Sequence, residues 1–158
     1  MNPAKAEPCA AGQFCPQGSV LPRNCSAGVY CPVALLVEPI PCPAGSFCAT
    51  ANTIQPVLCP AGRFGGSARM IDPNCTGPAA PGFWTQQGST TATQFDCGAP
   101  SFWCRAGSGS PASIPPGFRG RGADERHFAS LRRCGRGFFC VDGFNASCPI
   151  GRFSNVTA

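Results

Sequence analysis

Thirteen cysteines in 158 residues are the groups here that could do chemistry, and their spacing decides which chemistry. Four pairs are six residues apart: Cys9 and Cys15, Cys25 and Cys31, Cys42 and Cys48, Cys134 and Cys140. Structural zinc sites use closer cysteine pairs, usually with histidine. Here His127 is the only histidine, so disulfides are the expected use of these thiols. A disulfide needs Cα atoms within about 7 Å, so the chain between the two cysteines must turn back. The segment Cys42-Pro43-Ala44-Gly45-Ser46-Phe47-Cys48 shows how: glycine at the centre for the turn, and an aromatic before the second cysteine. Gly12 with Phe14, Gly28 with Tyr30, and Gly137 with Phe139 repeat the pattern. Each aromatic is expected to be the one large apolar group its copy buries.

Stepping outward, the first cysteines of four repeats fall at 9, 25, 42 and 59, a period of 16 to 17 residues. A period this short marks an array in which each unit touches its neighbours. Short apolar segments lead from one repeat into the next: Val20-Leu21, Val33 to Val37 and Ile54 to Leu58. They read as short extended strands between Pro and Gly turns. Twenty Gly, eighteen Pro and only 12% charged residues argue against one large core. The expected fold is small and disulfide-rich: an elongated array of short β-hairpin and turn repeats, with little regular secondary structure and no single core.

Later copies degrade. Cys59-Pro60-Ala61-Gly62-Arg63-Phe64-Gly65 has glycine at the closing position, and the next cysteine is Cys75. Ala79 to Thr85 keeps Gly82 and Trp84 but lacks both cysteines. Cys97 to Cys104, with Trp103, has one extra residue and no central glycine. Cys148 to Phe153 opens a further copy with Ser154 at the closing position. The chain divides into a loose lead-in (1–8), four short cysteine-rich repeats (9–75), degenerate and variant repeats (76–117), a basic insert (118–133) and final repeats (134–158).

The strings CPAGSFC, CPAGRFG, CGRGFFCVDG and CPIGRF resemble the ephrin-receptor-like cysteine-rich repeats, the "tyrosine-protein kinase ephrin type A/B receptor-like" extracellular family. That family is itself distantly similar to tumour necrosis factor receptor modules. The resemblance covers residues 9–158. It implies elongated arrays in the ectodomains of large surface proteins, with no catalytic residues. Nothing in the chain resembles a kinase nucleotide loop or catalytic loop. The departures are the absent cysteines at Ala79 and Thr85, and the basic insert.

Six of the eleven arginines lie between Arg119 and Arg136, and Lys5 is the only lysine. This stretch reads as a solvated loop, with a basic patch for acidic polysaccharide, anionic lipid or nucleic acid as the functional reading. Nucleic acid is the least expected of these. Asp124 is placed to cap a short helix carrying Phe128 and Leu131 on one face. Ser130 near His127 suggests a nucleophile and base, but no G-x-S-x-G elbow surrounds it. The acidic residues are scattered, with no pair placed for acid–base work and no calcium loop. The expectation is no catalytic, cofactor or metal site. Phe14, Tyr30, Phe47, Phe64, Trp84, Trp103, Phe139 and Phe153 read as small-core residues.

Four of six asparagines begin Asn-x-Ser/Thr sequons: Asn24, Asn74, Asn145 and Asn155. Such sequons are glycan acceptors in exported proteins. Asn145 and Asn155 are the favoured sites, because Cys25 and Cys75 sit inside the other two. The start Met1 to Pro8 has no apolar run of a signal peptide, and no segment is long enough to span a membrane. The cysteines and sequons together predict a piece of a longer exported protein, attached to a membrane only through parts outside this sequence. The expected function is a non-enzymatic extracellular segment, a spacer or a module binding protein or acidic glycan. The competing reading is a stand-alone secreted inhibitor or effector.

Two sequential pairings are open. One joins each second cysteine to the next repeat's first and leaves Cys9 over. The other pairs within motifs: Cys9–Cys15, Cys25–Cys31, Cys42–Cys48, Cys59–Cys75, Cys97–Cys104 and Cys134–Cys140, leaving Cys148. The joint loss of both cysteines at Ala79 and Thr85 favours the second, because two positions that bond each other disappear together. Cys148 then needs a partner about 16 residues on, by the Cys59–Cys75 precedent. The expectation is a chain cut inside a repeat.

Overall fold

A computed structural model describes residues 7–154. Every regular element there is a β-strand, and every sheet is one antiparallel hairpin. Eight hairpins follow in chain order: β1 (Gln13–Phe14) with β2 (Arg23–Asn24), β3 (Val29–Tyr30) with β4 (Ile40–Pro41), β5 (Ser46–Phe47) with β6 (Val57–Leu58), and β7 (Arg63–Phe64) with β8 (Gly77–Pro78). Then come β9 (Phe83–Trp84) with β10 (Phe95–Asp96), β11 (Phe102–Trp103) with β12 (Ala112–Ser113), β13 (Phe118–Gly122) with β14 (Phe128–Arg133), and β15 (Phe138–Val141) with β16 (Phe144–Ser147). The fold is a small disulfide-rich array of hairpin repeats. The first six hairpins have two-residue strands; the leader segments Val20-Leu21 and Val33 to Val37 lie outside them and are exposed or half-exposed.

One glycine turn starts seven of the eight hairpins; β11–β12 starts instead from a turn closed by the Phe102 N–H donating to the Ala99 carbonyl, with Ser101 at the third position. In the copy at residues 43–46, the Ser46 N–H donates to the Pro43 carbonyl at 3.2 Å, and Gly45 has φ +82°. A positive φ at the third residue alone defines a type II turn, which only glycine adopts without strain. The turn recurs with φ between 78° and 87° at Gly12, Gly28, Gly62, Gly82, Gly117, Gly137 and Gly151. Gly117 marks a repeat that the cysteine pattern does not reveal: Ile114 and Gly120 hold its two cysteine positions, and the Phe118 N–H donates to Pro115.

The contacts divide the molecule into two units, and the same backbone ladder runs within each. One unit comprises the chain up to Cys59 with Gly65–Thr76. In it the central glycine of each repeat donates its N–H to the closing position of the next: Gly12 to Cys31 (2.9 Å), Gly28 to Cys48 (2.9 Å) and Gly45 to Gly65 (2.8 Å). Leu35, Asn52 and Arg69 close the register from the other side, donating to the carbonyls of Cys9, Cys25 and Cys42. All three have φ near +60°, a left-handed conformation that costs a non-glycine residue about 1 kcal/mol. The other unit holds Pro60–Phe64 and the chain from Gly77 on. There Gly62 donates to Thr85 and Gly82 to Cys104, each at 2.8 Å.

Cysteine is the core. Among the described residues, eleven of the fourteen buried apolar ones are cysteines, joined by Val29, Ala79 and Phe128. The aromatics before the closing positions are only half-buried, and Phe139 and Phe153 are exposed, at 40% and 85%. The expectation that each is its copy's buried group is therefore corrected. The disulfide fills the centre, and the pleat sends the preceding aromatic to the hairpin's outer side, against its cross-strand partner. Tyr30 lies opposite Ile40, Phe47 opposite Val57, and Trp84 opposite Phe95 with ring centroids 4.6 Å apart.

Candidate functional site

The structure bonds Cys9 to Cys15, Cys25 to Cys31, Cys42 to Cys48, Cys59 to Cys75, Cys97 to Cys104 and Cys134 to Cys140. The Cα atoms of these pairs lie 5.8 to 6.4 Å apart, within the range a disulfide spans. Cys148 is a free thiol of intermediate exposure. At the cysteine-free copy, Ala79 and Thr85 are 1% and 0% exposed, and the Thr85 hydroxyl donates to the Arg63 carbonyl at 3.2 Å. Six disulfides in a chain with so little other core mark an extracellular or secreted type of module, folded under oxidising conditions.

Three of the sequons lie on exposed backbone. Asn24 is on β2, and its Oδ1 accepts from Gln13 Nε2 at 3.1 Å. Asn74 follows Asp72, whose Oδ1 accepts the Asn74 N–H at 2.8 Å. Asn145 is on β16, its Oδ1 3.3 Å from Arg119 Nη1. Asn155 lies outside the described residues.

The basic insert is neither a loop nor a helix. It is the longest hairpin in the described chain, with a β-bulge between Arg121 and Gly122. Asp124 does not cap a helix. Its Oδ1 accepts the Arg126 N–H at 2.8 Å, and its carbonyl accepts from the His127 N–H, which makes the turn at the hairpin's tip. The reason for a hairpin lies in the Arg-Gly-Arg-Gly alternation. A Cβ at Gly120 would overlap the Phe128 ring, and one at Gly122 would overlap the His127 carbonyl. Glycine occupies each position where strand β14 closes in, so Phe128 reaches 7% exposure on that face. Leu131, opposite Gly120, and Phe118, opposite Arg133, share the face, with the Arg133 guanidinium 5.9 Å from the Phe118 ring centre. Arg119, Arg121, Ser130 and Arg132 occupy the other face.

His127 sits at the tip of this hairpin, between carboxylates that are far apart in the sequence. Its Nδ1 meets both oxygens of Asp124 at 2.7 and 2.8 Å, and its Nε2 lies 3.3 Å from Asp96 Oδ1. Arg126 Nη2 donates to the other Asp96 oxygen at 2.9 Å, and the imidazole packs on Phe83 with centroids 4.5 Å apart. The hydrogen bond to Asp124 raises the imidazole's affinity for its proton above the ordinary value of 6.5, opposed by partial burial and helped by Asp96. The same bond, with the Arg126 backbone N–H, lowers the Asp124 carboxyl below 3.8. An imidazole engaged at both nitrogens ties the β13–β14 tip to β10. Ser130 stands elsewhere, its hydroxyl donating to the Arg121 carbonyl at 3.4 Å. The pairing of Ser130 with His127 is thus not formed. Asp96 and His127 are readable as types, but a sequence separation of 31 carries no local signal of their meeting.

Among the described residues no group of three or more His, Cys, Asp or Glu is placed to hold a metal ion. No helix among them is long and apolar enough to cross a membrane. A comparison with protein-family models returns no match, and a comparison with curated proteins returns none either.

Proposed function

We propose that this chain is a non-enzymatic repeat segment of a larger cell-surface or secreted protein, of the ephrin-receptor-like kind, serving as a spacer that presents binding hairpins. One observation carries the reading: six disulfides, each closed within one repeat, with a backbone ladder passing from repeat to repeat. The cross-links are closed locally and backbone hydrogen bonds join neighbouring repeats, with or without a disulfide, which suits a spacer of variable repeat number. The His127 environment supports the non-enzymatic part, because both ring nitrogens are engaged by carboxylates and neither is open to a substrate proton. The exposed sequon at Asn145 supports export.

The test is expression of the chain behind a secretion signal and, in parallel, in the cytosol. The expected result is secreted, oxidised protein whose gel mobility shifts on removal of N-glycans, and a reduced, protease-sensitive cytosolic form. A reduced cytosolic form that resists protease would contradict the reading.

A further inference from the structure

The free face of the β13–β14 hairpin sets Arg119 directly opposite Arg132, with Arg121 two residues along from Arg119. Cross-strand partners have Cβ atoms about 5 Å apart, and next-but-one neighbours on a strand are about 7 Å apart. Like charges directly opposite one another destabilise a sheet. Here the repulsion is not relieved inside the protein. Among the described residues, none of these three arginines has an ion pair with a carboxylate, whereas Arg126 pairs with Asp96. Arg119 reaches only the neutral side chain of Asn145. Three arginines without a carboxylate partner are therefore grouped on one face of a two-stranded ribbon that Phe128 packs against.

We infer that this face, Arg119, Arg121 and Arg132 with Ser130 between them, binds a sulfated glycan. The inference rests on the extracellular reading given above and names the ligand class for it. A guanidinium fork matches the oxygens of a sulfate in pairs, and it stays charged at every physiological pH. This grouping of three arginines suits a linear polyanion that meets several of them at once. A single strand of nucleic acid would need exposed aromatic platforms beside the charges; Phe118 shares the other face with Arg133, and Phe128, which lines the arginines' cavity, is only 7% exposed. A membrane surface would need exposed apolar side chains beside them, and the neighbours are the polar Ser130 and the buried Phe128. The three arginines line a cavity of about 410 Å3 together with Phe128, Asp124 and Glu125. Asp124 is occupied by His127, which leaves Glu125 as the carboxylate that a bound polyanion must tolerate.

The experiment measures binding of the secreted 158-residue chain to immobilised heparin at 0.15 M salt. Wild type is expected to bind, and R119Q/R121Q/R132Q to lose about tenfold or more in affinity. The charge-matched control R23Q/R69Q/R105Q should bind within about twofold of wild type, because those arginines lie in other hairpins and loops. E125Q should bind more tightly than wild type, a gain that no folding defect produces. Disulfide maps of all variants should be identical. The inference is overturned if wild type ignores heparin, or if the control triple loses as much as the hairpin triple. It is also overturned if carboxylate-only hyaluronan, single-stranded DNA or phosphatidylserine vesicles bind as tightly as heparin. Failure of the parent reading looks different: a chain that is not exported or oxidised sinks that reading, whereas exported, oxidised chain that ignores heparin sinks this inference alone.

Discussion

Pro43 to Ser46 and Ala80 to Phe83 are the same turn with and without a disulfide behind it. Their closing hydrogen bonds are 3.2 and 3.0 Å, and their glycines have φ +82° and +85°. Behind the first, Cys42 is bonded to Cys48; behind the second stand Ala79 and Thr85, both buried. The difference teaches that the turn and the ladder, not the cross-link, draw the hairpin. The glycine supplies a left-handed residue, and its N–H and carbonyl join the next repeat. The cross-link then removes entropy from the unfolded chain. The cysteine-free repeat at Ile114 to Gly120 makes the same point differently. It gains a long strand pair, a bulge and a buried Phe128 where the others have sulfur.

The largest way to break the comparison is to remove all the cross-links at once. Each six-residue spacing contributes about 2 kcal/mol by the chain-entropy model, and several act together. With eleven of fourteen buried apolar residues being cysteine, little other core is left to hold the fold. Strong reductant should abolish the cooperative thermal transition seen by circular dichroism. A transition surviving reduction would mean that the ladder suffices alone.

The next effect is at Gly120. A methyl group there overlaps the Phe128 ring, so G120A should destabilise the chain by about 2 kcal/mol through overpacking. The sharper form is a double-mutant cycle. G120A/F128A should cost little more than F128A, because the two side chains compete for one space. Additive costs would place Phe128 elsewhere.

Restoring sulfur to the cysteine-free copy reverses the comparison. A79C/T85C should form a seventh disulfide and raise stability by about 2 kcal/mol under oxidising conditions, less the lost bond from Thr85 to Arg63. Mass spectrometry reports the bond and thermal melting the gain. Two free thiols at 79 and 85 would show that this copy differs in backbone and not only in side chains.

The smallest effect is the histidine clasp. Its folded pKa is raised above 6.5, so its contribution is fully present below that value and fades as pH rises through the raised one. Asp124 has a lowered pKa, so its contribution is present above 3.8 and is lost as pH falls through the lowered value. The clasp is therefore at full strength between about pH 4 and 6.5. Its groups face solvent, which screens them and keeps the change small. The melting temperature of wild type should fall relative to H127Q between pH 6 and 8. An unchanged difference would remove the clasp.

What the chain's letters reveal depends on how local the cause is. The glycine turn and the hairpin repeat are set within seven residues, so Gly45 and its equivalents announce them. The repeat at Ile114 to Gly120 was hidden because cysteine was the marker, whereas the turn at Gly117 was the cause. Residues 118–133 read as a loop or a helix because Arg-Gly-Arg-Gly looks like a flexible run. Its glycines answer to Phe128 and His127 across the hairpin, a contact invisible along the chain. Leu35, Asn52 and Arg69 take left-handed backbone for a bond to the preceding repeat, where no glycine flags it. The aromatics were read as buried from their type alone. The pleat, set by the neighbouring disulfide, turned them outward.

The most direct measurement is peptide mapping of the secreted protein without reduction. The account predicts cross-linked peptides joining Cys9 to Cys15, Cys25 to Cys31, Cys42 to Cys48, Cys59 to Cys75, Cys97 to Cys104 and Cys134 to Cys140, with the Cys148 thiol free to alkylate. A peptide joining Cys140 to Cys148, with Cys9 alkylated instead, would contradict it.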